Sequence, residues 1–230
     1  MSITLGIYDF FSYIIPGFLY MYAFNEFLGA LQWKHIDISS MISSGQTPSL
    51  IFLIPLIITA FIVGHIFDPV AHRFYDLINR FRHSESMSEK SLVSIKGRYP
   101  ELNVQFRPMD WSTLFVLIRL RNLEVSKFID KFNADAIMLR NIAFSFLLLS
   151  IDYLLGSLFN RLWYFLLVAL LLIVLSVLAR SRSNDFRLRF FKHIYRASLE
   201  YGLNLKEVIE YNKKENQQTQ KLKKNSRLKS

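Results

Sequence analysis

Cysteine is missing from all 230 residues, which excludes a disulfide scaffold, a thiolate zinc site and a cysteine nucleophile. Glycine and proline are sparse, at 8 and 6, so the chain is neither collagen-like nor mainly linker. No Lys or Arg precedes Lys34. The cationic start of a secretory signal is therefore lacking, and the first apolar stretch is expected to be a retained helix. There is no phosphate-binding glycine loop, no Gly-x-Ser-x-Gly elbow and no His-Glu-x-x-His pair. The five histidines, at 35, 65, 72, 83 and 193, are scattered apart from the 65/72 pair. Neither catalysis nor a cofactor is expected.

Apolar and aromatic residues make up 52% of the chain and mean hydropathy is +0.24, yet the formal net charge is +10. These facts fit together if the apolar residues sit in long blocks and the cations lie outside them. Residues 162–179 are 18 positions without a charge, between Arg161 and Arg180. At about 1.5 Å per residue they nearly match a hydrocarbon core of ~30 Å. A second block, 49–67, overlaps a charge-free run from 38 to 64, and a third is interrupted after Arg140 only by Asp152. In the first block, 16 uncharged residues separate Asp9 from Glu26. As a helix they reach only ~24 Å, so at least one of those carboxylates is expected in the interface or inside a bundle.

The expected fold is an all-α polytopic membrane protein with four transmembrane helices, at 8–33, 49–67, 137–159 and 162–180. An extracytoplasmic loop takes 34–48. A mainly helical cytoplasmic insertion fills 68–136 and leads into the third span. A basic amphipathic cytoplasmic region covers 181–211, with a second short helix expected at 205–211, and a disordered basic tail covers 212–230. Of the 28 Lys and Arg, only Lys34 and Arg161 fall between paired spans. The positive-inside rule thus places both termini in the cytoplasm of a bacterial inner membrane, with Trp33 and Trp163 at the opposite face. Gly156 to Arg161 reads as the short connection of an antiparallel hairpin.

Within the insertion, Asp68-Pro69 reads as a cap and first helical residue of a segment reaching Phe81. Helices are also expected at 89–97 and 110–121, the latter capped by Asp110, with an extended piece at 102–107. From Leu123, the residues Phe128, Ile129, Phe132, Ala136 and Leu139 recur at helical spacing opposite Glu124, Lys127, Lys131 and Asp135. That amphipathic helix runs into the third span without a breaker.

Several constellations are chemically suggestive. Arg189, Lys192, His193 and Arg196 share one helical stripe, preceded by Arg182 and Arg187. Such a stripe serves an anionic inner leaflet, an acidic protein, or the phosphates of a nucleotide or nucleic acid. Trp111, with Arg107, Arg119 and Arg121 around it, reads either as core or as an aromatic-basic ligand surface. Glu26 and Asp152 are pore or cavity candidates, with snorkelling to the interface as the alternative. His65, Asp68, His72 and Asp76 fall near one stripe, as metal or proton-relay groups do, although a cap at Asp68 and a surface His72–Asp76 pair explain them without a metal.

The opening run Tyr8-Asp9-Phe10-Phe11-Ser12-Tyr13-Ile14-Ile15-Pro16-Gly17-Phe18 resembles the start of small bacterial inner-membrane proteins and of membrane components of antiviral defence operons. With four spans, inside termini and a basic insertion, the chain resembles the membrane subunit of the Kiwa system, and secondly the Hailong membrane effector. The resemblance implies a homo-oligomer, a tetramer, that senses infection or disrupts the membrane under control of a cytoplasmic ligand. The expected function is therefore a non-enzymatic sensor or effector, with an ion channel as one form of it, whose basic region binds a soluble protein, nucleotide or nucleic acid. A passive scaffold recruiting a soluble enzyme is the alternative. A proton- or metal-coupled transporter using His65, Asp68 and Asp152 comes third. Reporter fusions at Ser86 and Ser230 are expected to give the same cytoplasmic signal; opposite signals would overturn the topology.

Overall fold

The structure is a computed structural model that describes residues 7–30, 50–81, 86–99, 106–160 and 163–203. These form α1 (Ile7–Ala30), α2 (Leu50–Phe81), α3 (Met87–Arg98), a 3-10 turn (Pro108–Asp110), α4 (Trp111–Arg121), α5 (Leu123–Asn160) and α6 (Trp163–Glu200). No strand occurs among the described residues. The loop at 34–48, most of the extended piece at 102–107, the helix expected at 205–211 and the tail lie outside them.

Three helices, α2, α5 and α6, are long and apolar enough to cross a membrane. Each of α5 and α6 has 38 residues, about 57 Å at helical rise, so only part of either fits in ~30 Å of hydrocarbon. In α6 the charge-free part ends at Ala179. α1 is 24 residues long and carries Asp9, Asn25, Glu26 and four tyrosines among its apolar residues. It is not among the three.

Several local expectations change. α2 passes straight through Asp68 and Pro69 and contains Pro55 as well. Asp68 is therefore no cap: it lies in mid-helix, and its carboxylate turns to side chains of α5. The hairpin connection is tighter than expected, since α5 persists to Asn160 and α6 begins at Trp163. Asp110 does not cap α4 through its side chain. Its carboxylate instead closes the 3-10 turn by accepting from the Arg107 backbone N–H at 2.8 Å.

The chain divides into two compact units, one of Met1–Ser84 with Ala134–Phe186, the other of Glu85–Asn133 with Arg187–Ser230. In the first, α5 and α6 run antiparallel. Ser176 Oγ donates to the Ala143 carbonyl at 2.6 Å, and Ser183 Oγ to that of Ala136 at 2.7 Å. α1 and α2 meet backbone to backbone: a Cβ on Gly17 would collide with the carbonyl of Ala60, and one on Gly64 with that of Tyr13. Ala60 and Gly64 form the small-x-x-x-small spacing that lets apolar helices approach closely. Asp68 and Tyr75, two turns apart on α2, both meet α5 within 140–144.

The second unit packs Leu92 and Ile95 of α3, Leu114 and Ile118 of α4, Ile129 of α5, and Phe190, Phe191, Ile194 and Tyr195 of α6 into one core. Ser86 caps α3 by accepting from the Glu89 N–H at 3.2 Å. Asn122 Oδ1 caps α5 through the N–H groups of Glu124 and Val125. α6 ends in a Schellman motif: Gly202 adopts φ +62°, Leu203 N–H reaches the Ser198 carbonyl, and Leu203 turns into the core.

The α1–α2 contact leaves no room for a methyl group. Gly17→Ala and Gly64→Ala are each expected to lower stability by about 1–3 kcal/mol or more, read from unfolding midpoints in detergent. Gly97→Ala, whose Cβ meets nothing within 4 Å, is the control and should be neutral or slightly stabilising.

Candidate functional site

Charge is distributed unevenly between the units. The second holds 20 of the 28 Lys and Arg but only 10 of the 18 Asp and Glu, and the first holds eight of each. The whole net charge of +10 therefore belongs to the second, basic unit, while the apolar unit is neutral.

On α6 the helical period separates two faces of the basic unit. Phe190, Phe191, Ile194, Tyr195 and Ala197 point into the core, whereas Arg189 and Arg196 are exposed and Lys192 and His193 half-buried. His193 lies nearly parallel to Phe132 (ring centroids 4.9 Å, interplanar 16°) and edge-on to Phe128 at 5.4 Å. Arg196 pairs with Glu200 at 2.9 Å. Arg187 is half-buried on the same helix. Arg182 belongs to the apolar unit, where it faces Asp185 at 3.9 Å and lies over the Phe186 ring.

The residues around Trp111 do not form one cluster. The indole packs edge-to-face on Phe190 and Phe191, at 5.9 and 5.4 Å, as part of the core wall. Arg107 is engaged by Asp110. At the end of α4, Arg119 is exposed and Arg121 donates to the Tyr201 carbonyl, tying α4 to the end of α6. The buried Tyr195 hydroxyl shares the Pro108 carbonyl with Ser88 Oγ, which fixes the 3-10 turn against α3 and α6.

The apolar unit has its own polar cluster. Arg140 Nη2 donates to Asp68 Oδ1 at 2.6 Å, and Asn141 Nδ2 donates to the same oxygen at 2.8 Å. Arg140 Nη1 lies 3.3 Å from His72 Nδ1, and His72 Nε2 lies 3.3 Å from Asp76. Tyr20 of α1 donates to the Asn141 carbonyl at 3.0 Å. The Arg140 side chain is 8% exposed, so its charge is balanced mainly by protein groups. Two of the four α2 stripe residues, Asp68 and His72, thus meet α5, and Asp76 pairs with His72 along α2 itself. The fourth, His65, packs instead on Tyr13 and Phe61 of the aromatic α1–α2 contact. No three acidic or imidazole side chains converge on a metal-binding geometry among the described residues.

Glu26 and Asp152 lie within electrostatic reach of each other although they are far apart in sequence. Tyr22 lies beside both Tyr153 and Glu26, and Glu26 lies near enough to act electrostatically on Asp152. Asp152 is buried. Sequence reasoning missed the roles of Arg140 and Asn141 in the first cluster and of Phe128 and Phe132 beside His193. Arg140 ended a charge count, and the two phenylalanines read only as an apolar stripe. No family model, curated protein or solved structure matches the chain.

Removing one member of a buried ion pair strands the other. Asp68→Ala is expected to destabilise the protein by about 3–5 kcal/mol in detergent unfolding. Combining it with Arg140→Met should recover much of that loss; strictly additive losses would show that the two charges are not coupled.

Proposed function

We propose that the chain is a non-enzymatic, oligomeric sensor or effector of the bacterial inner membrane, acting in antiviral defence, whose basic unit captures an anionic soluble partner in the cytoplasm. The observation that carries this reading is the charge partition: a neutral apolar unit joined to a unit holding all of the +10. A basic surface raises the local concentration of anionic partners and speeds their encounter in a salt-dependent way.

In this reading α1 is the fourth span. Its polar residues are supported by partners: Tyr22 and Glu26 meet Tyr153 and Asp152, and Tyr20 meets Asn141. Binding acts on the membrane by favouring one packing of α5 and α6, since each helix contributes residues to both units. The partner must prefer one of two states for this to work. Glu26 and Asp152 are the groups that a cation path through the oligomer would use.

Purified protein in zwitterionic nanodiscs is expected to bind inorganic polyphosphate, with affinity falling steeply between about 50 and 200 mM salt. No binding at low salt would remove the basic unit's role. Binding without any change in ion flux through reconstituted liposomes would leave a passive scaffold and remove the gating step.

A further inference from the structure

We propose that the basic unit carries a nucleobase-stacking site at Phe128, with His193 and Phe132 beneath it and Arg189 and Arg196 alongside to meet phosphate. The partner chemistry is an unpaired base with its phosphates, as in single-stranded nucleic acid or a free nucleotide. This rests on the reading of the basic unit as an anion-binding module and deepens it.

Three observations converge. Phe128 is 54% exposed, although it belongs to a unit with a well-formed aromatic core. Its ring is held in place: it stands edge-on to Phe132 at 5.2 Å and to His193 at 5.4 Å, and those two rings stack on each other. A ring fixed in this way offers a π-face at small entropic cost to an incoming base. On α6, Arg189 lies four residues before His193 and Arg196 three after it, so the two cations fall on the same side of the helix one turn away. Glu200 holds Arg196 at 2.9 Å, which orients its guanidinium.

Other anionic partners fit less well. An acidic peptide uses the cations but has no need of an exposed aromatic ring. An anionic membrane surface favours a continuous apolar face with cations along its rim. Here the exposed ring has Glu124, Lys127 and Lys131 around it on α5, and Glu200 on the facing part of α6. Leu123, another exposed apolar residue of α5, lies five residues earlier and so points to a different side of the helix. One ring among mixed charges suits stacking better than insertion.

The test uses the full chain in phosphatidylcholine nanodiscs, with three probes: a labelled oligothymidylate of about ten nucleotides, inorganic polyphosphate, and phosphatidylglycerol vesicles. Thymidine monophosphate as competitor distinguishes a free nucleotide from a strand. Phe128→Ala is expected to weaken oligonucleotide binding about tenfold or more while leaving polyphosphate binding unchanged. Phe128→Tyr should retain it. Phe128→Leu keeps apolar volume without a ring, so loss in that variant with an unchanged melting profile assigns the effect to stacking. Arg196→Gln should weaken both soluble probes and lower the slope of log affinity against log salt by about one. Equal binding of oligonucleotide and polyphosphate, with no effect of Phe128→Ala, would overturn the stacking site and leave the anion-binding reading standing. Binding to vesicles alone would assign the surface to lipid. Failure of all three probes would sink both readings.

Discussion

Arg140 sits almost out of reach of water in a unit whose other helices are largely apolar, and such a cation persists only with its counter-charge in place. Asp68 supplies that charge at 2.6 Å, and it can do so because α2 continues through Pro69 instead of starting there. Asn141 donates to the same carboxylate oxygen, and Tyr20 ties α1 to the Asn141 carbonyl. One ion pair therefore joins α1, α2 and α5. His72 and Asp76 extend it toward the more exposed side of α2.

The rest of the apolar unit is held by close approach. Gly17, Ala60 and Gly64 let α1 and α2 touch through their backbones, and the rings of Phe10, Tyr13, Phe61 and His65 fill the space beside that contact. Hydrophobic burial offers little discrimination between apolar helices in lipid, so small residues and buried hydrogen bonds take over the choice of neighbours. Ser176 and Ser183, each donating to a carbonyl of α5, do the same for the α5–α6 pair. The basic unit works by ordinary core packing, with an aromatic interior and capped helix ends.

Much of the helical architecture is legible in the sequence, because hydrocarbon excludes charge and because an amphipathic stripe repeats every three to four residues. The long apolar blocks and the helix beginning at Leu123 emerge that way. What misled was local chemistry read without its tertiary partner. Asp68-Pro69 has the form of a helix start, and Asp110 that of a cap, yet each carboxylate is used elsewhere. Trp111, flanked by arginines, reads in sequence either as core or as a ligand surface, and its indole packs on Phe190 and Phe191. The candidate site around His193 was half visible: the cations share a stripe within one helix, whereas the aromatic residues beside them come from another.

By itself the sequence determined where charge can and cannot lie, and hence the helical class, the apolar blocks and the basic stretches. Those properties are set within one turn or along one run of residues. Only the tertiary structure decided that Arg140 faces Asp68, 72 positions away, that Glu26 comes within electrostatic reach of Asp152, and that Phe128 stands against His193. Such pairings depend on which helix faces meet and at what angle. No local periodicity encodes that, because it is settled by close packing and by the need of every buried charge for a partner.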